Sequence, residues 1–497
     1  METIGSQANK VIRAYPNKTA VKFEVKSITY ETLYSRAMAI TAFLRNKGLK
    51  KGDRFGVLMS NRLEYVELDL AAAYGGFVKV PLNYKLHPNE HKFQIEDADL
   101  SILIGEEELI KLIDVEVESV FVGDEYDQAL TDHIGEVVNE EVNENDLFAI
   151  MYTSGTTGNP KGVMLSHKNI LAGAISLSLV CEVNNQDVIG HVAPLTHGSN
   201  FLSHVAWLHG TTQVIYNKFN PEDFIDDIEQ DKVSVIFLVP TMVNLMIQHP
   251  QFDSSKLAGV KSINMAGSPI AASKLKLALD KLGPKFVETY GQVEAPMCIT
   301  VMPRDEISHR LESCGRTGAF VEMKIVDSDG KEVPTGEIGE IICKGSLVMR
   351  GYWNNEEATE KTLIDGWLQT GDLGWVDNEG YLHIVDRIKD VIISGGVNIY
   401  PREVEEVLNK HSGVKETCVI GIPDEKWGES IVAYVVPNGK EIIDAEELVE
   451  LCKQHLASFK KPKEVHIVDS LPKSSYGKIL KRELKKQHLE TVGVVKE

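Results

Sequence analysis

The stretch YTSGTTGNPKG, Tyr152 to Gly162, packs hydroxyls, glycines and one lysine between two apolar runs, Leu147 to Met151 and Val163 to Leu165. Gly155 and Gly158 let backbone N–H groups turn inward and approach an anion with no Cβ in the way. Thr153, Ser154, Thr156 and Thr157 add hydroxyl donors, and Lys161 supplies a charge on a flexible stem. The P-loop pattern G-x-x-x-x-G-K-[ST] is not met, because Lys161 follows Pro160 and Gly162 stands where a metal-binding hydroxyl belongs. The stretch reads as a phosphate-binding loop of another kind, set between two strands.

Outward from that loop, strand-like runs alternate with helical ones. Ala20 to Glu24, Arg54 to Met59, Phe77 to Pro81, Leu100 to Ile104, Val188 to Val192, Gln213 to Tyr216 and Ser234 to Val239 have strand patterns. Between them lie segments such as the one that puts Leu33, Ala37, Ile40 and Leu44 on one helical face. Strands separated by helices predict doubly wound, largely parallel α/β layers. Ligands of such folds gather at the carboxyl ends of strands, where the Tyr152 loop falls. From about residue 315 to 386 the strands shorten and Gly-rich turns multiply, predicting a β-rich subdomain within a large N-terminal region, 1–386. Residues 387–390 read as a boundary, and 391–497 carry the pattern of a small α+β domain.

The 497-residue chain has a formal charge of -21, which argues against nucleic acid and anionic membrane surfaces as partners. A nucleotide is compatible with that charge, since a phosphate site needs only local donors and a cation or two. Six scattered cysteines without a C-x-x-C pair indicate neither a zinc knuckle nor a disulfide framework and fit a reduced cytosol. No apolar run approaches the ~20 residues that span a bilayer, and Met1-Glu-Thr-Ile opens without a basic or apolar leader. A cytoplasmic protein with no transmembrane segment is the expectation.

Four further clusters carry chemistry. ETYGQVE, Glu288 to Glu294, sets a carboxylate beside a glycine turn at a strand end, and Glu294 is the candidate ligand for a divalent cation bridging phosphates. QTGDLG, Gln369 to Gly374, is expected to put Asp372 in a tight turn, its oxygens open to ribose hydroxyls. VDRIKDVIISGGVNIYPREVE, Val385 to Glu405, holds Arg387 before the boundary and Gly395-Gly396 after it. LPKSSYGKILKREL, Leu471 to Leu484, carries Lys478 behind Gly477.

In this order, the five stretches resemble the adenylate-forming superfamily, the acyl-CoA synthetases and their relatives. The likeness covers nearly the whole chain and includes ITYETL (28–33), GDRFGVLMSNRLEYV (52–66), PLN (81–83), AGSPI (266–270) and SCGRTG (313–318). The resemblance implies a large N-terminal region, a small mobile C-terminal domain, ATP and Mg²⁺, and coenzyme A as a substrate. It implies two steps: a carboxylate attacks the α-phosphate of ATP and expels pyrophosphate, and a thiol then takes the acyl group from the adenylate.

The same resemblance assigns roles to residues. Thr153, Ser154, Gly155, Thr156, Thr157, Gly158 and Lys161 would bind phosphates, and Glu294 with Thr153 would hold Mg²⁺. Asp372 and Arg387 would fix the ribose. Ala266, Gly267 and Ser268, with Glu288, Thr289, Tyr290 and Gly291, would complete the nucleotide site. Lys478 would reach in from the small domain to stabilise charge growing in the transition state. His197, within HVAPLTHGSN, is the family's gating ring beside the acyl pocket and counts with Lys478 and Glu294 as catalytic. Lys389 would be the hinge, and Gly395 and Gly396, lacking side chains, would leave room for the pantetheine arm of CoA.

One departure stands out: the family's Y-G-x-T-E hydroxyl is Val293 here, so that phosphate contact is missing or comes from Thr289 or the loop. Ala193-Pro194-Leu195-Thr196 offers no aspartate to pair with an amino group, which points to a monocarboxylic acid with an apolar tail. A medium- or long-chain fatty acid is the expected substrate. An aryl acid, or a carrier protein in place of free CoA, stands as the alternative, and a homodimer is compatible with everything above.

Overall fold

A computed structural model describes residues 2–153, 160–439, 443–473 and 479–491. The strand before the glycine-rich loop is Leu147–Thr153 and the one after it Lys161–Ser166; they pair antiparallel, with Thr153 opposite Lys161. Gly162 is required there, because a Cβ would stand 2.7 Å from Ile150 Cγ2 and 3.3 Å from Trp353 Cβ. Leu147–Thr153 belongs to a six-stranded sheet in which Val78–Leu82, Arg54–Leu58, Ile102–Gly105 and Ser119–Phe121 follow it in parallel. The strands named from sequence are found within a residue or two of their expected ends, and Thr153 closes the carboxyl end of its strand.

The α/β body contains a second sheet. Six strands, from Thr19–Phe23 through Thr212–Ile215, Val188–His191, Val235–Leu238 and Ser262–Met265 to Phe286–Tyr290, run parallel, and antiparallel strands cap both edges of this nine-stranded sheet. Helix Leu63–Gly75 packs against strands of both sheets, and all thirteen of its residues are buried. A helix covered all round carries charge inside only where it is paired. Asp69 meets the buried Lys79 of strand Val78–Leu82, while Glu67 takes Arg36 and the Tyr126 hydroxyl, the latter at 3.0 Å. Helices His167–Val180 and Ser199–His209 pack beside one another in the same body.

An antiparallel sheet follows, ordered Val321–Val326, Gly339–Gly345, Trp367–Val376 and Leu363–Ile364, with Leu382–Arg387 paired to the third of these. Here the expected tight turn at QTGDLG is corrected. Asp372 lies inside strand Trp367–Val376, held between Gly339–Gly345 and Leu382–Arg387, and side chains alternate in burial along it. The turn-like glycine is absorbed locally: Gly371 has φ +69° and donates its N–H to Glu340 Oε1 at 3.0 Å.

Ile388–Asp390 forms one 3-10 turn, and beyond it lies a smaller sheet of Ile392–Ser394, Val397–Ile399, Gly428–Pro437, Val414–Asp424 and Glu464–Ile467, with helices Pro401–Leu408, Ala445–His455 and Lys481–Thr491. Among the described residues, the apolar clusters of this small domain draw on no residue before Ile392. Its grip on the large domain is polar: Lys274 of helix Ala272–Leu282 donates to Asn409 Oδ1 at 3.3 Å and to the Lys415 carbonyl. Among the described residues, no helix is long and apolar enough to cross a membrane.

Candidate active site

Strand ends of both α/β sheets converge with the antiparallel sheet on a cavity of about 860 Å³. At one end stand Thr153, Lys161, Glu294 and Tyr352. Tyr352 donates its hydroxyl to Glu294 Oε1 at 2.9 Å, and Lys161 Nζ lies 4.8 Å above the Tyr352 ring, within cation–π range. Burial and the neighbouring carboxylate push the Tyr352 hydroxyl up, so it remains a donor. Ser154, Gly155, Thr156, Thr157 and Gly158 lie outside the described residues.

That end suits a magnesium ion delivered with a nucleotide. Among the described residues no group of three His, Cys, Asp or Glu side chains converges on a metal site. Mg²⁺ commonly takes one or two carboxylates and fills the rest of its shell with water and substrate phosphates. Glu294, with Thr153 lining the same cavity, offers such a donor set.

Another part of the wall holds Ala266, Gly267 and Ser268, which follow strand Ser262–Met265, together with Gly291, Gln292, Thr370, Gly371 and Arg387. Asp372 stands behind this wall, 5% exposed. Its Oδ1 pairs with Arg387 Nε at 3.0 Å, and its Oδ2 accepts from the Tyr290 hydroxyl and Gln292 Nε2, both at 2.7 Å. Burial and this carboxylate push the Tyr290 hydroxyl well above its usual range, so it too stays protonated. Asp372 therefore organises a donor fan with Arg387 and Gln292 on the cavity side.

Several expected residues are not on the cavity wall. Thr289 is buried and accepts from Asn264 Nδ2 at 3.2 Å, a bond that turns it into the sheet. Tyr290 serves Asp372. Burial pushes the Glu288 carboxyl up to about 7, opposed by the nearby Arg402 of the small domain, so this group looks toward the domain boundary. Gly395 and Gly396, at φ +59° and +81°, form the two-residue tip of the hairpin joining Ile392–Ser394 to Val397–Ile399. Gly395 donates to the Trp427 carbonyl at 2.7 Å, away from the cavity. Lys389 sits in the turn between the domains. Lys478 lies outside the described residues, but Lys473 of the same stretch lines the cavity and pairs with Glu416 at 2.6 Å.

The remaining end is apolar. His197, Gly198, Phe201, Phe237, Val239, Met242, Pro296 and Met297 enclose it. His197 precedes helix Ser199–His209, its Nδ1 3.0 Å from Thr196 Oγ1, and Gly198 admits the Phe237 ring where a Cβ would approach to 2.8 Å. Sequence reading did not single out Gln292, Tyr352 or Lys473. Gln292 had a signal, two places along from Tyr290; the other two acquire neighbours only through the fold.

A parallel-sheet body whose cavity sets Lys161 and Glu294 at one end, a fan of donors on its wall and apolar side chains at the other, with a second domain at its rim, has the layout of an enzyme that couples a nucleotide to an apolar substrate. The chain belongs to the AMP-binding enzyme family: that family model matches residues 8–353, and the AMP-binding enzyme C-terminal domain matches residues 403–478. It is 35% identical over 489 residues to a feruloyl-CoA synthase of an Amycolatopsis species, covering 97% of this chain and 99% of that protein. It is 33% identical over 487 residues to a 2-succinylbenzoate–CoA ligase of Bacillus cytotoxicus, covering 98% and 99% respectively. ATP-bound MatB from Rhodopseudomonas palustris superposes with a TM-score of 0.92 at 30% identity, covering 99% of this chain and 100% of that one. The protein is an AMP-forming acid–CoA ligase, using ATP with Mg²⁺ and taking CoA as a substrate.

Proposed function

We propose that the acid is an aryl acid, activated to an acyl-adenylate and passed to free CoA. The carrying observation is the apolar end of the cavity, where Phe201, Phe237 and Met297 supply flat and polarisable surface for a ring. The acids named for the two curated relatives, feruloyl and 2-succinylbenzoate, each contain a ring, which favours this reading over the fatty acid expected from sequence.

In the first step the carboxylate oxygen attacks the α-phosphorus and the bond to pyrophosphate breaks. Lys161 and the loop hydroxyls would hold the departing phosphates, with Glu294 and Thr153 keeping Mg²⁺ against them. The ion's contribution is to offset charge on the phosphate oxygens. Arg387 and Gln292, fixed by Asp372, would present donors to the ribose, and Ala266 to Ser268 would pack against the base. His197 would screen the reacting carboxylate from the acyl end, and Lys478 would meet charge developing on the α-phosphate.

In the second step the CoA sulfur attacks the acyl carbonyl and AMP leaves. The small domain would turn about Lys389 and bring the Gly395–Gly396 hairpin to the site. Lys389→Pro should therefore retain pyrophosphate release while thioester formation falls by at least about tenfold; unchanged thioester formation would remove the hinge. The substrate is tested by pyrophosphate release and acyl-CoA formation across acids of graded chain length and ring content. Turnover of ring acids with little of saturated chains is expected, and the reverse order returns the fatty-acid reading.

A further inference from the structure

Beyond His197 the acyl end does not finish in an apolar wall. Met151, His197 and Phe201 border the large cavity and also a small side chamber of about 10 Å³, room for roughly one water-sized group. Asn200 and His204, one turn apart on helix Ser199–His209, line that chamber and are 8% and 1% exposed. Asn200 Nδ2 and His204 Nε2 meet at 3.4 Å, while Asn200 Oδ1 and His204 Nδ1 have no hydrogen-bond partner. A buried polar group left so loses its hydration without a bond in return.

The pair specifies what would satisfy it. If the amide N–H donates to Nε2, the leftovers are a ring N–H and a carbonyl lone pair. If the amide is turned over, they are an amide N–H and a ring lone pair. Either way the two unpartnered positions present one donor and one acceptor, and a hydroxyl supplies both counterparts. A carboxylate does not suit the space, and the one cation in the chamber wall, Lys79, is already paired with Asp69. Burial, with Lys79 nearby, holds His204 neutral.

Position points the same way. Ala149, Met151 and Thr153 share one face of strand Leu147–Thr153, the first two lining the chamber and the last the phosphate end. Four residue steps of strand span about 13 Å, somewhat more than the reach of an arylpropenoic acid, so an acid with its carboxylate beside the phosphate end would extend its ring substituent toward the chamber.

We propose that this chamber reads a hydroxyl at the far end of the acid's ring, with Asn200 and His204 as the specificity-determining pair. The inference rests on the aryl-acid reading above. It is tested by pyrophosphate release with 4-hydroxycinnamic and cinnamic acids, which differ in that one group. The wild type should favour the hydroxylated acid by at least about tenfold in kcat/KM. His204→Leu should bring the ratio near one while cinnamic acid is still turned over, and His204→Asn, which returns a nitrogen donor to the Nδ1 position, should restore most of the preference. Thermal midpoints close to that of the wild type verify that each variant is folded.

Turnover of both acids by the wild type with a ratio near one would mean that the chamber holds only a structural water; it overturns the proposal and leaves the aryl-acid reading standing. Equal loss on both acids in His204→Leu and His204→Asn assigns a packing role and also overturns it. Inertness of both acids beside turnover of a fatty acid overturns both readings.

Discussion

Glu294, Tyr352 and Lys161 form a short chain in which an aromatic ring separates a carboxylate from an ammonium. The hydroxyl fixes the carboxylate and the ring face steadies the cation, so the two charges stay apart on the cavity wall. Glu294→Gln keeps an acceptor for Tyr352 but removes the charge. Pyrophosphate release is expected to fall by about 10²–10³-fold with a raised Mg²⁺ requirement, measured by titrating the metal; wild-type rates and metal dependence would exclude Glu294 from the site. Glu294 and Lys161 were legible in sequence because a charged side chain in a glycine-rich loop has few other uses. Tyr352 and Gln292 were not, since their partners Glu294 and Asp372 are 58 and 80 positions away.

The two strands that flank the loop pair as one element, and the Gly162 position controls how closely the second approaches Ile150 and Trp353. Gly162→Ala forces an extra methyl into that contact, an overpacking that costs about 1–3 kcal/mol. Denaturant unfolding should show the loss, and a midpoint equal to the wild type's would mean that the strands part without strain. The Trp367–Val376 strand shows where elements mislead. Its Thr-Gly-Asp-Leu-Gly run has turn composition, yet neighbours on both sides pair with it and override that preference. The alternation of Leu368, Thr370 and Asp372 toward the interior was present in the letters and is the signal that outweighs the glycines.

For the whole molecule, strand and helix alternation disclosed an α/β body, but not its division into two sheets around helix Leu63–Gly75. A helix buried on every side has no polar stripe, so periodicity alone does not say what lies on either flank. Burial in this body also sets an acid limit. His167 and His191 have their pKa lowered from 6.5 to about 4, chiefly by desolvation. Both are neutral in folded and unfolded chains above pH 6.5; between about 6.5 and 4 the unfolded chain gains protons that the folded one refuses. Stability should therefore be lost progressively over that window as pH falls, by about 3 kcal/mol for each histidine. Chemical denaturation at stepped pH measures it, and a flat midpoint from pH 7 to 4.5 would contradict it. At the seam between the domains, Lys274 reaches across to Asn409 and Lys415, and among the described residues no apolar cluster spans the two domains. A joint of that kind comes undone without exposing a shared oily core to water, so parting it should give the chain little tendency to clump.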